Sequence, residues 1–170
     1  MKPIGAFVIA CVVALLLRST ALSSLAARGV VIDVLALATV LWALRHGDVW
    51  GSSFGFALGL VADLDAAHGL GRHALLLTLL GYAVGRLSGT LVRESARTQF
   101  ALIATGVLLH QLWASVFEMG GGLAALPYLA LRSLVATVLT ALLGTLLLAI
   151  VRRLGGRPFL GYASRTTATD

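Results

Sequence analysis

The sequence predicts an all-α membrane protein, a polytopic bundle of six transmembrane helices. Hydrophobic residues make up 59% of the 170 residues, charged residues only 12%, and the mean hydropathy is +0.97. Soluble domains carry about 25% charged residues, so this chain lacks the polar side chains that would cover its apolar ones in water. Apolar stretches close to the ~20 residues that a bilayer-spanning helix needs recur along almost the whole chain.

Turn and charge signals divide the chain into the six predicted spans, such as RHGD after the second span and HGLGR after the third. The spans cover about residues 4–22, 29–44, 49–67, 73–91, 100–118 and 125–151. Together they form one transmembrane domain over residues 1–153, and residues 154–170 form a short cytoplasmic tail. The second span is short, and an arrangement of five spans remains the alternative.

The first span has some features of a signal peptide. Lys2 precedes an apolar run that ends at Leu17, and small residues follow in STALSSLAA. Arg18 comes directly after the apolar run, however, and interrupts the pattern that precedes a cleavage site. We therefore expect this segment to be a retained first helix.

The positions of the basic residues predict that both termini lie in the cytoplasm. With a cytoplasmic N-terminus, nine of the 13 Lys and Arg residues fall on the inner side of the membrane, as the positive-inside rule requires. The net charge of +6 is then a property of the loops. No basic helix interleaves arginine with aromatic residues, so we expect no nucleic-acid partner.

Small residues at intervals of four predict close helix packing, because residues four apart share one helix face. The third and fourth spans each carry three such glycines, namely Gly51, Gly55 and Gly59, and Gly81, Gly85 and Gly89. These two spans should form a tight antiparallel hairpin. Ser133 and Thr137 begin a similar row on the sixth span. The pattern does not decide whether these rows pack within the bundle or against a partner.

Ionisable residues gather in the outer half of the predicted bundle. They are Arg18, Asp33, Asp63, His73, Glu118 and Arg132. Charge within a bilayer costs about 2.5 to 3.5 kcal/mol or more per residue, so such groups usually face the bundle interior and pair. We expect Arg18 and Arg132 to be the cations of this cluster. Their candidate partners are the carboxylates of Asp33, Asp63 and Glu118. Asp63 also continues the glycine row of the third span and should point into the helix interface.

The sequence carries no pattern typical of catalysis, metal binding or cofactor binding. Asp63 and Asp65 point to different faces of a helix, and no His-Glu-x-x-His motif is present. Cys11 is the single cysteine, so neither a disulfide nor a thiolate cluster can form within the chain. His110 lies deeper in the fifth span and is expected to hydrogen-bond between helices, with a proton relay as the alternative. We therefore predict no catalytic, metal or cofactor-binding residue and no enzymatic activity.

A family resemblance covers residues 51–87, which read GSSFGFALGLVADLDAAHGLGRHALLLTLLGYAVGRL. This stretch resembles the central region of MreD, the small polytopic rod shape-determining membrane protein of bacteria. The matching positions are Gly55, Gly59, Asp63, Gly71, His73, Ala74, Leu75, Tyr82, Gly85 and Arg86. Arg72 departs from the family pattern, which often has an apolar residue there. Arg18 stands where the family often has glutamine, and Ile32 replaces the proline that precedes the matching aspartate, Asp33.

The resemblance implies a non-enzymatic part of the cell-elongation machinery in the bacterial inner membrane. MreD proteins are thought to work with MreC and MreB, near the RodA glycosyltransferase and its partner transpeptidase, which build peptidoglycan. This chain would then be a scaffold that binds the single transmembrane helix of an MreC-like partner. Tyr82 would join the glycine rows as a packing or docking residue, and membrane lipid would be a further partner.

The MreD fold is also similar to that of the substrate-binding S-components of energy-coupling-factor vitamin transporters. The alternative function is therefore a transporter subunit that binds a vitamin or another small molecule. Such a site needs aromatic and polar groups that converge on an organic ligand. The outer half of the predicted bundle offers few of them beyond Trp113 and Tyr128, so the sequence favours the scaffold.

Overall fold

The computed structural model describes residues 3–20, 32–65, 71–90, 95–118 and 126–155. Within these ranges the chain forms six α-helices and no strand, which confirms the predicted all-α class. The helices are α1 (Pro3–Ser19), α2 (Val34–His46), α3 (Asp48–Asp65), α4 (Arg72–Thr90), α5 (Ala96–Glu118) and α6 (Leu126–Gly155).

Several helix ends differ from the predicted span limits. The second helix begins at Val34 and not near residue 29, because Asp33 lies outside the helix and caps it: its Oδ1 accepts from the amide of Ala36 at 3.0 Å. At the other end of the chain, α6 continues to Gly155, so the first two residues of the predicted tail are helical. Residues 156–170 of that tail lie outside the described residues, as do residues 21–22 of the first span.

Among the described helices, one is long and apolar enough to cross a bilayer, as judged by its length and composition. Residues Pro127–Val151 of α6 form 25 helical residues, and an 18-residue stretch of them has a mean hydropathy of 2.6. The helices Ile4–Ser19 and Val34–His46 are apolar but shorter. At 1.5 Å per residue α2 is about 20 Å long, which is less than the ~30 Å of a hydrocarbon core. The six crossings therefore stay a prediction.

The second helix lies at the centre of the bundle, where it packs against the other five helices. Its Ala36, Val40 and Ala43 are completely buried. The most extensive helix pair is α3 with α4, followed by α5 with α6. A short apolar helix of small residues suits this central position, because it lets neighbours approach from every side.

The glycine rows lie in the α3–α4 interface. A Cβ added to Gly51 would lie 2.6 Å from the carbonyl oxygen of Gly81, and one added to Gly55 would overlap the main chain of Leu77. Gly59 and Gly85 meet main chain of the opposite helix in the same way. The two backbones thus touch directly, which only glycine permits. The surroundings of Gly89 lie outside the described residues.

The sixth helix has two distinct faces. Small and hydroxyl residues face the bundle, with Ser133, Thr137 and Thr140 all buried. The opposite face exposes large apolar side chains, among them Leu131, Leu134, Val138, Leu142 and Leu146. Hydroxyl groups on the inner face bond to carbonyls of their own helix, as Thr137 does to Ser133 at 2.7 Å. An outward leucine face of this extent suits lipid and not water.

Candidate functional site

The carboxylate of Asp63 caps the start of the following helix. It accepts hydrogen bonds from the amides of Gly71 (3.0 Å), His73 (3.0 Å) and Ala74 (2.9 Å) and from Nδ1 of His73 (2.9 Å). The first amides of a helix have no partner within the helix, and a carboxylate there also meets the positive end of the helix dipole. Asp63 therefore joins the end of α3 to the beginning of α4.

Two features of the local sequence place this carboxylate. Asp63 follows Gly59 by four residues, so it lies on the face of α3 that contacts α4, and it is completely buried. Gly71 has a φ of 94°, a left-handed conformation that glycine adopts without strain. That turn directs the Gly71 amide towards the Asp63 carboxylate.

A second carboxylate pairs with a histidine across the bundle. Oδ2 of Asp33 lies 2.5 Å from Nδ1 of His110 on α5, and both side chains are buried. The amide of Asp33 donates to Oγ1 of Thr140 on α6 at 3.1 Å, and Nε2 of Gln111 lies 3.4 Å from Oδ2. Asp33 thus connects the start of α2 to α5 and α6.

The two pairs meet in one cluster, which we call the Asp–His cluster: Asp33, Asp63, His73 and His110. The imidazole rings of His73 and His110 are 5.5 Å apart between centroids and tilted by 57°. Each Nδ1 faces a carboxylate, which only accepts, so each Nδ1 carries a proton. Within the described part of the chain, Nε2 of His110 is buried without a hydrogen-bond partner. The arrangement orients two imidazoles and can hold or pass a proton.

Of the predicted acidic partners only Asp33 and Asp63 have described side chains, so a pair of Arg132 with Glu118 stays a prediction. Arg18 contacts Asp65, with Nη2 and Oδ2 3.8 Å apart and side chains 34% and 77% exposed. Arg132 is exposed. Thr140 meets Asp33, and Arg132 lies eight residues earlier on α6, which is about 12 Å along the helix axis. The carboxylates of Asp33 and Asp63 instead contact histidines and helix amides, and that of Asp33 also contacts Gln111.

The other predicted site residues have varied surroundings. Glu118 ends α5, but its side chain lies outside the described residues. Tyr82 is 45% exposed, and Nη1 of Arg86 lies 3.4 Å from its hydroxyl. Ser133 and Thr137 lie on the buried face of α6. Tyr82 and the small-residue rows therefore do not share one surface.

Sequence reasoning placed His110 outside the candidate site and gave no role to Gln111. Two signals could have found the pair. An aspartate directly before an apolar run is a typical helix N-cap, which sets the depth of Asp33. A histidine within a predicted span needs a polar partner, and a buried carboxylate is the obvious one.

The fold and the site together define a class of protein. It is a helical membrane bundle in which buried carboxylates pair with histidines. A family model described as "rod shape-determining protein MreD" matches residues 1–153 of the 170. The chain therefore belongs to the MreD family and is a rod shape-determining membrane protein, a member of the MreBCD rod-shape system. Neither a curated protein nor a solved structure matches it significantly, so the likeness to S-components stays a prediction.

The prediction that no residue binds a metal also bears on the Asp–His cluster. The described ranges hold no group of three or more His, Cys, Asp or Glu side chains placed to bind a metal ion. Three of the four hydrogen bonds to Asp63 come from main-chain amides. Its geometry is that of a helix cap.

Proposed function

We propose that this protein is a non-enzymatic scaffold of the cell-elongation machinery. It binds the transmembrane helix of an MreC-like partner and thereby positions a RodA-type glycosyltransferase and its transpeptidase, with MreB on the cytoplasmic side. Membership of the MreD family supports this role. A scaffold requires a rigid surface. The close packing of the α3–α4 hairpin is the main structural observation that supports such a surface.

The bonding of Asp63 is the observation that carries the proposal. A catalytic carboxylate must keep an oxygen free for a substrate or a proton. Both oxygens of Asp63 instead accept two hydrogen bonds each, all from the first residues of α4 or the turn before it. Together with the direct backbone contact at Gly51 and Gly81, these bonds hold two helices in one fixed arrangement.

The surface for the partner helix has to lie away from the glycine rows. These rows face each other inside the hairpin, and the small-residue face of α6 is buried. Among the exposed apolar faces, we assign the partner helix to those of α1 and α6, where Val8 and Val138 are about half exposed. In lipid, helices associate through side-chain packing at such faces.

Site-specific photo-crosslinking tests where the partner binds. A photoreactive residue at Val8 or Val138 should crosslink to an MreC-like protein in native membranes. The same residue at Phe56, an exposed position on α3, serves as the control. Crosslinking at Phe56 alone would place the partner on another face and contradict the assignment.

We also propose that the bundle crosses the inner membrane six times, with both termini in the cytoplasm and the Asp–His cluster in the outer half. The contacts of Arg18 with Asp65 and of Asp33 with His110 support a common end for these residues. In a Cys11→Ser background, Asp65→Cys should react with an impermeant maleimide in intact cells. Ser95→Cys should react only after permeabilisation, and the reverse pattern would overturn the topology.

Affinity purification from native membranes in mild detergent, followed by mass spectrometry, tests the function itself. Recovery of an MreC-like protein and peptidoglycan synthases is the expected result. Recovery of an ATPase module together with a bound vitamin would instead support the S-component alternative and refute the scaffold.

A further inference from the structure

A lateral groove of about 450 Å³ lies between α1 and α2. Ala10 and Ala14 of α1 and Ala38 and Leu41 of α2 form much of its wall, and Phe54 of α3 and Leu147 of α6 also line it. These side chains are apolar, and the alanines leave room between the two helices. The groove is separate from the Asp–His cluster, none of whose members lines it.

Polar groups lie at only one end of this groove. Trp42, Arg45 and His46 line it there, in the last turn of α2. Arg45 is exposed and always charged. Its positive charge suits this end of the groove to an anionic group.

The dimensions of the groove favour an extended chain over a helix. It follows α2 from Val34 to Arg45, which is about 17 Å at 1.5 Å per residue. The hydrocarbon part of one membrane leaflet is about 15 Å thick, which is half of the whole core. A transmembrane helix is about 10 Å across, and a 30 Å length of it fills roughly 2,000 Å³ or more, several times the volume of this groove.

We propose that the groove binds one acyl chain of an anionic phospholipid, with the phosphate at the Arg45 end. Basic pockets between transmembrane helices on the cytoplasmic side bind anionic headgroups in this way. The apolar wall takes the chain, and the Arg45 guanidinium attracts the phosphate. This lipid site is independent of the scaffold function and of the surface that binds the partner helix.

Native mass spectrometry of the detergent-solubilised protein tests the site. Phosphatidylglycerol and phosphatidylcholine with identical chains are titrated separately. We expect phosphatidylglycerol to bind on the order of fivefold more tightly, as one arginine predicts. Arg45→Gln should remove this preference, whereas Arg153→Gln, at an exposed arginine near the end of α6, should keep it. Equal binding of the two lipids by the wild-type protein would refute the proposal.

The chain-binding part of the groove has its own variant. Ala10→Phe fills the groove and should weaken binding of both lipids about tenfold or more, while Val138→Phe on the outward face of α6 should not. Thermal unfolding of each variant verifies that it is folded. If both Arg45→Gln and Ala10→Phe bind phosphatidylglycerol as the wild type does, no lipid site exists here. A protein crosslinked through a photoreactive residue at Ala38 would show a partner helix in the groove and equally overturn the proposal.

Discussion

Asp33 and His110 are 77 positions apart in the chain, and their side chains meet at 2.5 Å in the core of the bundle. The same carboxylate caps α2 through the amide of Ala36, while the main chain of Asp33 bonds to Thr140 on α6. One residue at the start of the central helix thus connects three helices. The pair is a structural joint whose loss should loosen the whole bundle.

Removal of one member of this pair should be strongly destabilising. His110→Ala leaves the Asp33 carboxylate buried without its partner, and we expect a loss of about 3 kcal/mol in the free energy of unfolding. Asp33→Asn and His110→Gln together remove the charge and its partner at once. This double variant should lose less than the sum of its two single variants. Unfolding in mild detergent measures His110→Ala and the four proteins of this double-mutant cycle, and strictly additive losses in the cycle would show that the side chains do not interact.

Asp63 and Asp65 offer a matched comparison two positions apart. Asp63→Ala removes the acceptor for three amides and a histidine and should lower the free energy of unfolding by about 3 kcal/mol. Asp65→Ala removes only an exposed contact with Arg18, so it should change that free energy by no more than about 0.5 kcal/mol. Equal effects of the two substitutions in thermal unfolding would mean that the cap is not essential.

The glycine contacts predict a steric effect that a single methyl group reveals. Gly55→Ala places a Cβ on the main chain of Leu77, which cannot move aside as a flexible side chain can. We expect a loss of about 2 kcal/mol or more. Gly5→Ala is the control, since nothing lies within 4 Å of its new Cβ and alanine favours a helix. A Gly55→Ala protein as stable as wild type would contradict direct backbone contact.

His46 predicts a dependence of stability on pH. Burial lowers the pKa of His46 below its ordinary value of 6.5, and the nearby Arg45 lowers it further. Below about pH 6.5 the unfolded chain therefore binds a proton at His46 that the folded chain does not, so stability falls as the pH falls. His46→Phe keeps an aromatic ring on Trp42, against which His46 stacks, and removes the titration.

Thermal unfolding between about pH 7.5 and 5.5 tests this prediction. The wild-type midpoint should fall more steeply than that of His46→Phe as the pH is lowered. Parallel curves would show that His46 titrates alike in the folded and unfolded states. The comparison cancels the contributions of the other histidines, because both proteins contain them.

The elements that the sequence predicted well are those governed by local spacing. Glycines four residues apart specify one face of a helix, and two such helices joined by a short turn have few ways to pack. The site was harder to predict. The sequence placed Asp63 and His73 in the same outer cluster, on either side of one turn, but expected an arginine as the partner of Asp63. It did not place His110 beside Asp33, since no local pattern links residues on different helices.

The charge pairing shows the same limit. Arg18 and Arg132 belong to the predicted outer cluster, so a pairing by charge assigned them to its carboxylates. The structure instead pairs the carboxylates of Asp33 and Asp63 with histidines, whose short rings reach a buried partner. Long arginine side chains extend towards the polar surface more readily than into a core, as Arg18 does towards Asp65.

The sequence by itself determined the class of protein, the six helices of the described residues and the face on which α3 and α4 meet. These properties follow from hydropathy and from the helical period, which every residue experiences locally. Only the tertiary structure decided which side chains share the core between helices, and that the glycine rows are used within the chain. Those outcomes depend on how far each helix is shifted along its axis relative to the others. That shift is set by many packing contacts together, and no single stretch of sequence records it.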